Sequence, residues 1–316
     1  MRRDFLKRLS TLPLALAGVQ GLSGCIPGPS PLLRVGTNVW VGYEPLYLAR
    51  ALGHYDPGNI RLVEHTSATN VMRALLDGDL EAAGVTLDEA LTLISQGLAL
   101  KVVLVFNFSA GADALVTRPG IETLADLKGK RIAVESGAVG AVMLSALLEA
   151  AHLDLADITR VAITANEQVS SYRSGQVDAV IAFEPHVSQL RREGGRVLFD
   201  SRAIPNRIMD VLVVRADALP QHEDNLRDLL NGYLAALFHI HSTPEDAHKL
   251  MARRLGEDVP GQRAGIHQPD LAENQALLSH MDQLSQNLAD FMALSQLLPG
   301  RLTTRGLADN SYLPAS

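Results

Sequence analysis

Residues 33–52 read LRVGTNVWVGYEPLYLARAL and contain a strand signal followed directly by a helix signal. The segment Leu33–Val39 is an apolar, β-branched run of the kind that forms a buried strand. The segment Glu44–Leu52 is predicted to be helical, and the short turn between the two contains Gly42. A strand that leads through a short turn into a helix is half of a βαβ unit, in which a helix joins two parallel strands.

The same order of strand and helix recurs along the chain as far as residue 215. The predicted strands are Leu33–Val39, Ile60–Glu64, Ala82–Thr86, Lys101–Phe106, Ala114–Arg118, Arg131–Glu135, Thr159–Ile163, Ala179–Phe183, Val197–Asp200 and Val211–Arg215. The predicted helices between them are Glu44–Leu52, Thr69–Asp77, Asp88–Gln96, Ala138–His152, Gln168–Ser174 and Pro185–Glu193. This alternation predicts an α/β fold with parallel sheets that helices cover on both faces.

The C-terminal part of the chain has a different pattern. Apolar residues at positions 226, 229, 230, 233, 234, 237 and 238 fall on one face of a long helix. Further helices are predicted near Pro244–Leu255, Asp270–His280 and Gln283–Leu297. A helical tail without new strands is expected to pack on an existing lobe.

The strand pattern divides the chain into two α/β units. The strand Val211–Arg215 has no helix of its own and fits best into the first sheet, which requires the chain to cross back. We therefore expect lobe 1 to comprise residues 33–110 and 207–316, and lobe 2 to comprise residues 111–206. Two lobes joined by two crossings form a cleft that can close by hinge motion.

The first 25 residues resemble a bacterial lipoprotein signal. Four basic residues precede the apolar run Leu12–Val19, and the only cysteine of the chain, Cys25, follows two small residues. The resemblance implies a signal peptide over residues 1–24, lipidation of Cys25, and a tether over residues 25–32. The protein would then be lipid-anchored in the periplasm or on the cell surface. Ile26 favours the outer membrane over the inner. The pair of Arg2 and Arg3 does not distinguish twin-arginine export from general secretory export.

Composition excludes several classes of function. The net charge is −7 at pH 7, and loss of the basic N-terminal segment would make the chain more acidic, which argues against a nucleic-acid partner. A single cysteine excludes an internal disulfide, a Cys-ligated zinc and an iron–sulfur cluster. His239 and His241 are two residues apart and do not share a helix face. We therefore predict no cofactor and no metal site.

Four segments carry a family resemblance: VGTNVWVGYEPLYLAR (35–50), ALLDGDLEAAG (74–84), LADLKGKRIAV (124–134) and SGQVDAV (174–180). In order and spacing they resemble the periplasmic solute-binding proteins of the nitrate/sulfonate/taurine and thiamine-precursor class. The resemblance covers about residues 33–240. It implies the two-lobed fold of type II periplasmic binding proteins. It also implies delivery of a small solute to the permease of an ABC importer or to a membrane sensor.

Ligands of open α/β sheets bind beyond the carboxyl ends of the strands. The turns at those ends contain the candidate ligand-binding residues: Trp40, Gly42, Tyr43, Glu44, Ser67, Thr69, Thr86, Asp88, Ser136, Gly137, Val139, Glu184 and Asp210. Trp40 either stacks on a flat or cationic ligand or belongs to the core. The Ser-led helix starts at residues 67–70 and 136–140 either bind an acidic group of the ligand or are ordinary N-caps.

Acidic residues at the same rim indicate the charge of the ligand. Asp88, Glu89 and Glu184 follow strands, and Asp210 lies at the crossing strand. Carboxylates at a binding site select against oxyanions such as nitrate and favour ammonium, amidine or heterocyclic N–H groups. Alternatively, Asp88 and Glu89 only complement the dipole of their own helix. We expect the solute to be a nitrogen-bearing organic molecule, and a zwitterion is compatible with this expectation. Glu184 is the strongest candidate for a direct contact with it.

Two other functions stay open on the sequence alone. The closed form could dock onto a membrane signalling protein instead of a permease. An enzyme on the same scaffold is the other alternative, because pyrimidine synthases of thiamine biosynthesis resemble this class. Their cysteine-rich motif is missing here, and no Gly-x-Ser-x-Gly motif occurs. We therefore expect a binding protein that is not an enzyme.

Overall fold

The computed structural model describes residues 31–135, 139–256 and 258–315. Its strands are β1 (Leu33–Asn38), β2 (Ile60–His65), β3 (Ala82–Thr86), β4 (Leu100–Ser109), β5 (Asp113–Thr117), β6 (Arg131–Val134), β7 (Thr159–Ala162), β8 (Ala179–Phe183), β9 (Arg196–Asp200), β10 (Met209–Arg215) and β11 (Ile266–His267). Its helices are α1 (Glu44–Ala51), α2 (Ala68–Asp77), α3 (Leu87–Ser95), α4 (Val139–Ala151), α5 (Ala165–Arg173), α6 (His186–Arg192), α7 (Leu219–Ser242), α8 (Pro244–Leu255), α9 (Val259–Arg263), α10 (Leu271–Ser279) and α11 (Met281–Leu294).

These bounds confirm every strand and helix predicted above to within a few residues. The two-residue strand β11 and the short helix α9 were not predicted. The signal peptide, Cys25, most of the tether, Ser136 and Gly137 lie outside the described residues. Within the described part of the chain, no helix combines the length and the apolar character needed to span a bilayer.

The strands form two mixed sheets. The first has the order β11-β4-β10-β3-β1-β2, and the second has the order β7-β6-β8-β5-β9. The expectation of parallel sheets is correct for β1, β2 and β3 and for β6, β7 and β8. It is wrong for the remaining strands, because β4, β5, β9, β10 and β11 pair antiparallel with their neighbours.

The antiparallel strands follow from the two crossings between the sheets. The chain passes from β4 to β5 through residues 110–112, and from β9 to β10 through residues 201–208, without a helix of α type in either passage. A strand reached through such a crossing starts at the cleft and runs away from it, whereas a strand of a βαβ unit ends at the cleft. The return of the strand at Val211–Arg215 to the first sheet is confirmed, since β10 lies between β3 and β4.

The tail packs on the first sheet, as predicted. In α7, the Tyr233 hydroxyl donates to the backbone carbonyl of Phe106 in β4 at 3.1 Å. In α10, the Asn274 side-chain oxygen accepts a hydrogen bond from the Val105 N–H at 2.7 Å. Both partners in the sheet are buried backbone groups of β4, so the tail helices satisfy polar atoms of the sheet as well as covering its apolar side chains. The tail therefore stabilises the sheet on which half of the cleft is built.

Candidate functional site

A small cavity lies between the two sheets, at the edge where β1, β3 and β8 end. Side chains from both sheets line it: Asn38, Trp40, Tyr43, Ala68, Thr86, Glu89, Asp113, Val139, Phe183, Ile208 and Asp210. This is the location that the strand-end rule predicts for a ligand. Its free volume of about 20 Å³ holds about one water molecule, so an organic solute can enter only when the two lobes move apart.

The antiparallel strands bring two aspartates into this edge. Asp210, near the start of β10, is paired in register with Thr86 at the end of β3. Asp113, the first residue of β5, is paired in the same way with Phe183 at the end of β8. Each crossing strand thus begins with a carboxylate at the cleft, and the two carboxylates come from opposite sheets.

Four carboxyl groups meet here without a basic neighbour in the lining. Glu89, Asp113 and Asp210 line the cavity, and Asp88 lies close enough to raise the pKa of all three. Each of the four is at most 3% exposed. None of the described lining residues is a lysine or an arginine. The site therefore contains an excess of buried acidic groups.

Burial is the main cause of the raised pKa values in this group. It raises the pKa of Asp113 to about 7 and that of Asp88 to about 6. Burial together with the neighbouring carboxylates also holds the pKa values of Glu89 and Asp210 well above their usual range. The neutral forms of these groups are thus favoured in the empty cleft, because an ionised carboxylate has lost its water there.

Aromatic side chains form the apolar part of the cavity wall. The Trp40 and Phe183 rings meet edge to face across the cleft, with centroids 5.7 Å apart and an interplanar angle of 89°. The Tyr43 hydroxyl donates a hydrogen bond to Asp210 Oδ1 at 2.7 Å. A Cβ at Gly42 would lie 2.4 Å from Trp40 Nε1 and 2.2 Å from Asn107 Nδ2, so only glycine lets the turn approach these groups. Trp40 therefore contributes to the cavity wall and to the contact between the lobes.

The helix starts at the cleft are capped from within the protein. Ser67 is the N-cap of α2, and its side chain accepts a hydrogen bond from the Asn70 N–H at 3.3 Å. The carboxylate of Glu89 accepts a hydrogen bond from the Thr86 N–H at 2.9 Å, which is one half of a capping box. Thr69, on α2, contacts Glu135 of the opposite sheet. The interpretation of Ser67 as an ordinary cap is therefore sufficient.

The predicted site residues divide into four groups. Those that line the cavity are Trp40, Tyr43, Thr86, Val139 and Asp210. Those that lie near it without being in its lining are Gly42, Ser67, Thr69 and Asp88. Ser136 and Gly137 are outside the described residues. Glu44 and Glu184 are not in the lining, although Glu184 is close enough to raise the pKa of Asp113.

Glu184 and Glu44 have structural partners away from the cavity. The Glu184 carboxylate accepts hydrogen bonds from the Ser188 N–H at 3.1 Å and the Ser188 hydroxyl at 2.9 Å. It thus caps the first turn of α6 and lines a separate groove. Glu44 is 1% exposed and accepts a hydrogen bond from Arg254 of α8 at 3.1 Å. The expectation that Glu184 is the leading ligand contact is not supported by this geometry, because its carboxylate is already engaged by its own helix.

We expect Glu184→Ala to lower stability by about 1 kcal/mol, the usual effect of losing a helix cap, and to leave solute affinity within about two-fold. Thermal melts and isothermal titration calorimetry measure the two effects. Glu149→Ala, an exposed change in the same lobe, is the control. Loss of affinity without loss of stability would instead place Glu184 in the binding site.

Sequence reasoning missed the lining residues Asn38, Asp113 and Ile208, and it placed Ala68 and Phe183 in strand-end turns without nominating them as contacts. It also placed Glu89 at the rim without nominating it as a contact. Asp113 was missed because a parallel sheet was assumed, in which the first residue of a strand lies far from the ligand. The available signal was the acidic residue directly before an apolar strand that follows a direct crossing.

Comparisons with known proteins concern the family and the fold of the chain. A family model described as the NMT1-like family matches residues 27–256. The chain is 27% identical over 244 residues to the taurine-binding periplasmic protein of Escherichia coli K12, covering 71% of this chain and 76% of that protein. The alkanesulfonate-binding protein SsuA from Xanthomonas axonopodis pv. citri, bound to MOPS, has a TM-score of 0.75 and 20% identity, covering 89% of this chain and 98% of that chain.

The same fold also occurs in an enzyme. The desulfurization enzyme DSZB matches with a TM-score of 0.61 and 17% identity, over 89% of this chain and 97% of that chain. At these identities the solved structures establish the fold alone. They confirm the two-lobed periplasmic-binding-protein architecture, and the chemistry of the cleft has to be argued from its own residues.

Proposed function

This chain belongs to the NMT1-like family, and we propose that it is an extracytoplasmic solute-binding protein that delivers its solute to an ABC importer. In this proposal, residues 33–110 with 207–316 form one lobe and residues 111–206 form the other. The solute lies in the cavity between them and stabilises the closed form, because it contacts both lobes at once. We further propose that the solute is a small, nitrogen-bearing organic molecule.

The buried, uncompensated carboxyl groups of the cavity carry this proposal. Glu89, Asp113 and Asp210 line the site, and no basic side chain is found among the described lining residues. Buried ionised groups are tolerated when they are paired with an opposite charge. A positively charged ligand supplies that charge and so favours the ionised carboxylates, whereas a sulfonate or nitrate supplies none.

The aromatic wall and the polar atoms at the cavity favour a binding role over an enzymatic one. The Trp40 and Phe183 rings offer a surface for an organic cation, since a cation over an aromatic face is stabilised by the ring quadrupole. None of the described lining residues is a serine, cysteine, lysine or histidine, so the cavity carboxyls have no side-chain nucleophile of these types to activate. Recognition of the solute is therefore the activity that these residues support.

A calorimetric screen of the purified protein tests the solute class. The panel contains small primary amines, amidines and nitrogen heterocycles, with alkanesulfonates, nitrate and bicarbonate as the contrasting set. We expect at least one nitrogenous compound to bind, and to raise the melting temperature by mass action. Binding of sulfonates or nitrate alone would contradict the proposed solute class, and no binding by any compound would contradict the proposal as a whole.

We also propose that the protein is exported and anchored to a membrane by lipid at Cys25. The supporting observation is the signal-like sequence that ends at this only cysteine. We expect the protein expressed in a Gram-negative host to enter the detergent phase of a Triton X-114 extraction, and Cys25→Ser to enter the aqueous phase. Stable anchoring needs more than one acyl chain, so a protein without the lipid at Cys25 should move almost completely to the aqueous phase. Ser30→Ala is the control, and equal partitioning of the wild type and Cys25→Ser would exclude the anchor.

A further inference from the structure

The N-terminus of α2 is occupied by a carboxylate of the opposite lobe. Glu135 directly follows β6 and is 3% exposed. Its Oε1 accepts a hydrogen bond from the Thr69 hydroxyl at 2.6 Å and a longer one from the Thr69 backbone N–H at 3.3 Å. The N–H of Thr69, the second residue of α2, is one of the donors that a helix leaves unpaired at its start.

A helix N-terminus at a cleft is where a ligand's acidic group would be expected to bind, because the free N–H groups and the helix dipole both favour negative charge. Here the protein supplies that negative charge itself. An incoming sulfonate or carboxylate would have to displace Glu135 from Thr69 and would then face both Glu135 and Glu89, whose pKa Glu135 already raises by its charge.

We propose that Glu135 is a specificity-determining residue that excludes solutes with an acidic group from this cleft. The inference rests on the proposed function and narrows it, because the solute then carries positive charge or N–H donors but no sulfonate or carboxylate. Glu135 takes the position at the start of α2 that an acidic group of a solute would need.

A second feature of Glu135 agrees with this role. Its other oxygen, Oε2, is buried and meets no hydrogen-bond donor among residues 31–135, 139–256 and 258–315. One oxygen thus joins the second lobe to the first, and the other has unused acceptor capacity beside the cavity, whose lining does not include Glu135. The hydrogen bond to Thr69 also joins the two lobes without help from a ligand anion, so closure around a pure cation needs no acidic group on the solute.

The experiment measures gain of anion binding. Wild type, Glu135→Gln and Glu135→Ser are titrated by calorimetry with taurine and with ethanesulfonate. Glu135→Gln keeps the size of the side chain, so it preserves folding, while Glu135→Ser also removes the group from the helix start. Both variants should bind the two sulfonates about 10- to 100-fold more tightly than the wild type, the range expected for charge-assisted hydrogen bonds. Glu149→Gln, an exposed change of the same charge in the same lobe, should change nothing.

Two outcomes would overturn the inference. One is unchanged sulfonate affinity in both variants when their melting curves show that they are folded. The other is wild-type protein that already binds taurine more tightly than either variant does. Failure of the proposed function would show itself differently, as the absence of binding by every nitrogenous compound in the screen, which this titration does not use.

Discussion

Asp113→Asn is expected to weaken binding of the tightest nitrogenous compound of the screen by about 100-fold or more. Asp113 contributes the carboxylate of the second lobe to the cavity, opposite Asp210 from the first. A cation bound between them is buried with its partners, and removal of one partner from a buried charge pair costs about 3–5 kcal/mol. Calorimetry on the wild type and the variant measures the difference directly.

The same substitution should stabilise the ligand-free protein. Burial raises the pKa of Asp113 to about 7, so ionisation of this group at neutral pH opposes folding. Asparagine has no charge to bury, and its amide can donate to the neighbouring carboxylates. We expect a gain of about 1–3 kcal/mol above pH 7, since a tenfold change in a protonation equilibrium corresponds to about 1.4 kcal/mol.

Opposite effects on affinity and stability distinguish a functional carboxylate from a structural one. Asp77→Asn, an exposed change on α2, is the control for a general effect of charge and should alter neither quantity. If Asp113→Asn lowered the melting temperature and left affinity intact, Asp113 would be a structural residue, and the proposed binding mode would be wrong.

Local sequence signals were sufficient to predict the helices and strands, and to predict the side of the site that lies at the strand ends of the first sheet. Strand-end turns follow from periodicity and glycine positions, so Trp40, Tyr43 and Thr86 were placed at the cleft without any contact information. The position of Asp113 at the cavity depends instead on which strands lie antiparallel. The contact of Glu135 with Thr69 depends on how far the lobes close. Both properties arise from tertiary structure, since a crossing strand and a βαβ strand have similar sequences.

Glu184 shows why a position at a strand end is not enough to identify a ligand contact. Its position after β8 is the same as that of a ligand-binding residue, yet Ser188 four residues later offers it two donors. A local hydrogen bond of this kind competes with any role at the cleft. Acidic residues at strand ends can therefore be assigned to ligand or to helix cap only when their nearest donors are known.

The fold shared with taurine- and sulfonate-binding relatives does not require a shared solute. The scaffold supplies a cleft at strand ends, and the side chains that line it determine the charge of what binds there. In this chain the lining combines acidic and aromatic groups, with the helix start at Thr69 already occupied. Selectivity thus follows from which groups the cleft leaves without a partner.

Affinity for a cationic solute is expected to rise by up to about 100-fold between about pH 5 and about pH 8, in line with the raised pKa values of the cleft. Asp88 and Asp113 have pKa values of about 6 and about 7, so both are largely neutral at the lower pH. A cation binds the ionised forms, and its binding releases the protons that the empty site retains. Calorimetry in buffers of different ionisation enthalpy measures both the affinity and this proton release.

The stability of the ligand-free protein should depend on pH in the opposite direction. A carboxyl group whose pKa is higher in the folded state stabilises the fold below its unfolded pKa of about 4, and this contribution is lost as pH rises through the folded value. The melting temperature should therefore decrease between about pH 5 and about pH 8, and a bound cation should reduce the decrease. Asp113→Asn should flatten both curves, because Asp113 then no longer titrates. A ligand-free melting temperature that increased over this range would show that the cleft carboxyls are already ionised and paired, and the cluster could not be what selects a cation.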